Sequence, residues 1–159
     1  MTHHPIPSDS HPIPSDSIRS ITEWHQLARP NPDARAFSAQ LGAYIEEFVE
    51  MMEAFGSPIP AHTIFELNQI AMDLKSDGFT ISPHELDSFS RVELLDSLAD
   101  QVVTAAGVAH CAGMDFQGAL AEVNRSNWSK FENGAPVFLP GGKIGKGEFY
   151  TKPDLTEFV

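Results

Sequence analysis

This sequence predicts an all-α fold, a helical bundle of about five helices followed by a loop-rich C-terminal arm. Three observations carry that prediction. Apolar residues recur at helical spacing in five separate stretches. Ser, Asp and Pro residues of the kind that start helices, and Gly and Pro residues of the kind that stop them, punctuate those stretches. Gly and Pro then crowd the segment from Gly134 to Gly147, and strand signals are confined to about residues 136–139.

Residues 4–10 read HPIPSDS, and residues 11–17 repeat them letter for letter. Tandem Pro, Ser and Asp bury too little apolar surface to order themselves, so residues 1–17 are expected to be a flexible tail with solvated histidines, ahead of a domain at 18–159. Ile18, Ile21, Trp24 and Leu27 then mark a first helix, which Pro30 and Pro32 stop. A second helix runs from about Ala36 to Phe55, with Leu41, Tyr44, Ile45, Phe48, Met52 and Phe55 on its apolar side, and Gly56, Pro58 and Pro60 end it. A third, from about His62 to Lys75, carries Ile64, Leu67, Ala71 and Leu74, and Asp77-Gly78 closes it. Residues 79–82 can form a short extended piece.

Two capping-box patterns follow, Ser82-Pro83-His84-Glu85 and Ser90-Arg91-Val92-Glu93, so the long fourth helix begins either near Pro83 or near Arg91. It ends at Gly113, with Gly107 in its interior expected to permit a close helix approach. Asp115 caps a fifth helix that reaches about Lys130.

At 159 residues and 17.4 kDa the chain is most simply one domain. No apolar run approaches the roughly 20 residues of a membrane span, and the N-terminus has neither the basic start nor the apolar core of a signal peptide, so a cytoplasmic protein is expected. Cys111 is the one cysteine, which leaves no internal disulfide; it is expected to pack as a small apolar residue. Ten Lys and Arg stand against 22 Asp and Glu, a formal charge of −12. That balance argues against binding nucleic acid, and a polyanionic partner would need bridging cations. Broad apolar faces on five helices point to a shared core and a homo-oligomer, either a dimer or a tetramer.

The arrangement of the acids is the informative feature. Glu93, Asp96 and Asp100 follow one another at i, i+3 and i+7, on one stripe of the fourth helix. Glu46, Glu47, Glu50 and Glu53 span an arc of roughly 120° beside the apolar side of the second. Neither cluster has a Lys or Arg four residues on, so each repels itself and calls for a positive compensator. Two such stripes that converge would suit a hard divalent cation such as Mg²⁺, with Mn²⁺ as a substitute. Singly, each acid has a plainer account: Glu93 as capping-box partner of Ser90, Glu53 as a surface acid, Glu46 and Glu47 as a solvated face. Trp24 and Trp128 read as core, and His25 and His110 as packing histidines.

Glu46-Glu47-x-x-Glu50, then Glu93-Leu-Leu-Asp96-Ser-Leu-Ala-Asp100, then Glu122-Val-Asn124-Arg125-Ser-Asn127-Trp-Ser-Lys130 resemble, in that order, the MazG-like branch of the all-α nucleoside triphosphate pyrophosphohydrolases. The similarity continues through Gly142-Lys143-Ile144-Gly-Lys146-Gly147 and Tyr150-x-x-Pro153-Asp154, so it spans roughly residues 20–157. The resemblance implies Mg²⁺-dependent hydrolysis of a nucleoside triphosphate, such as a pyrimidine deoxynucleotide, to the monophosphate and pyrophosphate. It implies Glu47, Glu50 and Asp100 as the leading metal ligands, and Glu46 as a further ligand or the group that orients the attacking water. Asn127, Lys130, Lys146 and Tyr150 would contact the substrate.

Two positions depart from the family pattern. Ser97 stands where many members carry the first acid of a Glu-x-x-Asp pair, so either Glu93 or Asp96 supplies that carboxylate beside Asp100, or Glu93-x-x-Asp96 is itself the pair shifted by a turn. Asn124 stands where many members have His. The alternatives are a related phosphoribosyl-ATP pyrophosphohydrolase and a non-catalytic helical module that binds nucleotides.

Overall fold

The computed structural model describes residues 15–56, 59–76, 79–139 and 144–159. Five helices account for most of them: α1 (Ser15–Ala28), α2 (Ala34–Ala54), α3 (Ala61–Lys75), α4 (Ser88–Cys111) and α5 (Phe116–Trp128). A hairpin of two-residue strands, β1 (Phe131–Glu132) and β2 (Ala135–Pro136), and short 3-10 turns at Pro83–Glu85 and Thr156–Phe158 complete the described elements. The protein is all-α, as expected. No helix among the described residues is long and apolar enough to cross a membrane.

The expected boundaries shift where capping chemistry decides them. α1 already begins at Ser15, inside the stretch expected to be a tail; residues 1–14 of that stretch, and the turn expected at Asp77-Gly78, lie outside the described residues. Both candidate starts of the fourth helix give way to a third. Ser82 caps only the turn Pro83–Glu85, while Asp87 accepts the Ser90 amide at 2.7 Å and opens α4 at Ser88. Ser90 therefore lies inside the helix, and Glu93 has no capping-box role. Residues 79–82 form no strand. Within residues 136–139, Pro136 pairs with Phe131 and Phe138 forms an isolated bridge with Ile144; pairing also extends upstream to Phe131, because consecutive positive φ angles at Asn133 (52°) and Gly134 (77°) make a tight hairpin turn that Asn-Gly tolerates.

By its internal packing the chain divides into two compact units, one of residues 31–102 and one that joins residues 1–30 to 103–159. Helix α4 runs through the division.

In the first unit, α2 and α3 pack face to face around Val49, Ala71 and Leu74, all at most 4% exposed. Gly42 permits that approach, since a Cβ there would lie 2.6 Å from the Ala71 carbonyl oxygen. Fully buried Ser38 ties residue 81 to α2, its Oγ donating to the Ile81 carbonyl at 3.2 Å and accepting the Ile81 amide at 2.6 Å. Asp33 caps α2 by accepting the Ala36 amide at 2.7 Å. Arg35 in its first turn reaches across to the last carbonyls of α3, those of Leu74 and Lys75, where a cation offsets the negative end of the helix dipole.

In the second unit α1 lies against α5, joined through the indoles. Trp24 Nε1 donates to the Asn127 carbonyl at 2.9 Å and Trp128 Nε1 to Ser20 Oγ at 2.8 Å. Both rings meet Phe131, with centroids 5.6 and 5.4 Å away. Asp115 caps α5 through the Gly118 amide at 3.0 Å, and the Phe158 ring closes on Gly118, where a Cβ would stand 2.5 Å from it. Two expectations fail here: Cys111 is exposed, and a Cβ at Gly107 would meet nothing within 4 Å.

The two helical glycines should thus respond in opposite directions to alanine. Gly42→Ala forces α2 off α3, at a cost of about 1–3 kcal/mol that the helix propensity of Ala offsets only in part. Gly107→Ala meets open space and should gain about 0.5–1 kcal/mol. Urea unfolding followed by helical circular dichroism measures both; a lower midpoint for Gly107→Ala, or an unchanged one for Gly42→Ala, contradicts the packing described.

Candidate functional site

The acids of α2 stand on the helix as their spacing requires, and the fold treats them unequally. Glu46 is half-buried and forms an ion pair with Lys75, which arrives from the last turn of α3. Sequence spacing along α2 could not reveal this compensator, because the cation comes from 29 residues away in the chain. Glu47 and Glu50 are exposed, as is Glu53. On α4, Glu93, Asp96 and Asp100 are all exposed within unbroken helix, spread over a rise of about 10.5 Å. Ser97 shares that surface but contributes no carboxylate. Asp96 lies one turn from both Glu93 and Asp100, so the stripe is continuous without it.

The residues of the first unit are strongly unbalanced in charge: thirteen Asp and Glu stand against Arg35, Lys75 and Arg91. Of these three, Lys75 pairs with Glu46, Arg35 donates to helix-end carbonyls, and Arg91 donates to the Pro83 carbonyl at 3.1 Å. The oxygen donors on α2 and α4 have the chemistry for Mg²⁺. Among the described residues of one chain, however, no group of three or more His, Cys, Asp or Glu stands close enough to hold a metal ion. The chain taken singly lines up each stripe and does not assemble the cradle.

The residues expected at the substrate lie in the other unit, and there the structure forms two pairs. Lys130 Nζ donates to Asn127 Oδ1 at 2.7 Å, and the Lys146 ammonium sits 4.9 Å from the centre of the Tyr150 ring. Trp24 fixes the Asn127 backbone, so the end of α5 is held while the side chains of Asn127 and Lys130 remain half-exposed. With its oxygen taken by Lys130, the Asn127 amide presents its Nδ2 donors. Asn124, where a His was the family's residue, is instead buried: Nδ2 donates to Ser20 Oγ at 2.9 Å, and Oδ1 has no hydrogen-bond partner among the described residues. It joins α1 to α5 and does not reach outward.

Sequence reasoning missed the clasp that seats the C-terminal arm on α5. Arg125 grips Glu122 with two hydrogen bonds, at 2.6 and 2.7 Å, and also reaches Thr151 Oγ1. The Asp154 amide donates to Glu122 at 3.0 Å, Ser126 Oγ donates to the Thr151 carbonyl at 2.8 Å, and the Thr151 amide donates to Ser129 Oγ at 2.9 Å. The i, i+3 pair of Glu122 and Arg125 was visible in the sequence; its attachment to residues 151–154 was not. Downstream of β2, Glu132 accepts the Glu148 amide and crowds Gly147, so the arm between Lys146 and Tyr150 is positioned by its backbone.

Among the described residues, this clasp sets the one large shift in acidity. The Arg125 guanidinium, helped by the Asp154 amide, holds the Glu122 carboxyl down at about 2, from an ordinary 4.5. Because the folded value lies below the unfolded one, the carboxylate stabilises the clasp fully above about pH 4.5 and loses that effect as pH falls towards 2. Carboxyl NMR should show Glu122 titrating near 2, and in Glu122→Gln the Thr151 and Asp154 amides should lose hydrogen-exchange protection at neutral pH; titration above 4 or retained protection contradicts the clasp. Compared with family models, curated proteins and solved structures, the chain matches none.

Proposed function

We propose that the protein hydrolyses a nucleoside triphosphate to the monophosphate and pyrophosphate. The observation that carries the reading is the concentration of acid on α2 and α4: exposed carboxylate stripes on two helices of a unit with thirteen acids and three cations. Such stripes are costly unless a cation joins them, and a triphosphate brings divalent cations with it. The ordered resemblance of the flanking motifs, from Glu46 through Asp154, supplies the substrate class. Pyrimidine deoxynucleotides are the first substrates to test.

The chemistry asked of the chain is attack of water at the α-phosphorus, cleavage of the bond to the α,β-bridging oxygen, and departure of pyrophosphate with that oxygen. Lys130 and Lys146 suit the phosphate oxygens as compact cations. Asn127, its oxygen already engaged, offers N–H donors to a phosphate or a sugar hydroxyl. Tyr150 keeps the Lys146 ammonium near one position. Glu46, paired with Lys75, is constrained in direction, which fits it to orient water better than to move freely onto an ion. Glu50 and Asp100 are the carboxylates most needed for turnover.

The non-catalytic reading draws on one observation of its own, that the described residues of a single chain gather no group of three His, Cys, Asp or Glu able to hold a metal ion. Pyrophosphate release across a panel of ribo- and deoxynucleoside triphosphates with Mg²⁺ separates the two. Release is expected on at least one of them, and nucleotide binding without release at high enzyme would select the module. Lys130→Met should raise KM about tenfold or more, as the loss of a charge-assisted hydrogen bond to phosphate implies, with helical content unchanged. A wild-type KM would remove Lys130 from the substrate's neighbourhood.

A further inference from the structure

We infer that Glu122 and Arg125 are positioning residues: through their hydrogen bonds to Thr151 and Asp154 they hold the loop of residues 146–150 beside Lys130, and so set the affinity for a triphosphate without touching it. The seating of the loop follows from its hydrogen bonds alone, whereas its ligand is taken from, and rests on, the pyrophosphohydrolase reading.

An ion pair three residues apart on an exposed helix adds little to that helix, and such pairs are common on solvated faces. Glu122 and Arg125 differ in what else they bond. Glu122 Oε1, already accepting from Arg125 Nη2 at 2.7 Å, also accepts the Asp154 amide at 3.0 Å. Arg125 turns its other guanidinium donors to the arm, reaching Thr151 Oγ1 and, at 3.4 Å, the Lys152 carbonyl. Each charge thus faces its partner on one side and the arm on the other.

Two serines complete the attachment. Glu122, Arg125, Ser126 and Ser129 recur at i, i+3, i+4 and i+7, so a single stripe of α5 and its C-cap receives residues 151–154. Ser126 Oγ donates to the Thr151 carbonyl at 2.8 Å, and Ser129 Oγ accepts the Thr151 amide at 2.9 Å. With its hydroxyl held by Arg125 as well, Thr151 is fixed through its amide, its carbonyl and its side chain.

What this fixes is the separation of two cations. Ser129 and Thr151 are the chain neighbours of Lys130 and Tyr150, so the bond between them sets those two segments side by side. The Tyr150 ring, 4.9 Å from the Lys146 ammonium, carries the constraint on to the second cation. Upstream, the Gly145 amide donates to the Val137 carbonyl at 2.7 Å and the Glu148 amide donates to Glu132. Downstream, the clasp holds the other end. Released there, the loop would have to be ordered when a polyphosphate binds, and that ordering is lost affinity. An effect of this kind weakens ground and transition states alike, so it falls on KM and leaves kcat nearly unchanged.

Steady-state pyrophosphate release by full-chain variants, with Mg²⁺ and the triphosphate of the panel that turns over fastest, is the test. Glu122→Gln and Thr151→Val should each raise KM about tenfold with kcat changed less than about threefold, and Thr151→Ser, which keeps the hydroxyl, should restore the wild-type KM. Thr151→Val lies on the arm and leaves α5 intact, so the comparison holds even where a substitution on α5 costs the fold. Exchanging the pair, Glu122→Arg with Arg125→Glu, keeps an ion pair on α5 but offers the Asp154 amide no acceptor, and KM should stay raised; a wild-type KM there shows a pair that serves only the helix and overturns the assignment. The effects of Glu122→Gln and Lys146→Met should not add, because each removes the same fixed cation, and full additivity also overturns it. Where no triphosphate is turned over, the hydrolase reading falls, and inorganic tripolyphosphate with Mg²⁺, titrated calorimetrically, takes the substrate's place. Binding about tenfold weaker in Glu122→Gln and Thr151→Val than in the wild type then upholds the positioning role, while equal affinities, or a wild type that does not bind, overturn it.

Discussion

Charge is the constraint on which the rest of the structure turns. A unit with thirteen carboxylates and three cations folds only if most of those carboxylates face water, and the helices comply by setting each acid stripe beside an apolar stripe. On α2 the arrangement is partly resolved within the chain, because the face that packs on α3 brings Lys75 to Glu46. Helix α4 keeps both its acids and its aliphatic residues at the surface.

The other unit follows a different logic. Its α1 and α5 are joined by polar contacts among large rings, with Ser20 Oγ accepting from both Asn124 and Trp128 while Trp24 holds the Asn127 carbonyl. Glu122 and Arg125 then seat the arm on α5. The effect is to fix the backbone on either side of Asn127, Lys130, Lys146 and Tyr150 while their polar ends stay accessible. Rigid support under accessible donors is what recognition of a polyanion asks of a scaffold.

The helices were legible because their signals are local. Apolar periodicity, the Asp115 cap and the Pro and Gly stops gave five helices in the right order, with ends off by at most three residues in all but α4. There two capping boxes competed, and a third candidate, Asp87, won by accepting the Ser90 amide. Long-range contacts were not legible. Nothing near Glu46 announces Lys75, nothing near Glu122 announces Asp154, and Gly107 looked like a packing glycine when Gly42 and Gly118 fill that role. The Asn133-Gly134 turn was the local signal passed over, and it extended the strand pairing upstream. Of the candidate site, sequence spacing gave the stripes and the Asn127–Lys130 pair; whether stripes on different helices meet depends on packing that no spacing encodes.

The central claim is that these carboxylates serve attack by water on the α-phosphorus of a triphosphate. Hydrolysis in ¹⁸O-labelled water, read by phosphorus NMR, tests it most directly. The account predicts the label on the monophosphate and none on the pyrophosphate. Label on the pyrophosphate, or release of inorganic phosphate in its place, would contradict it.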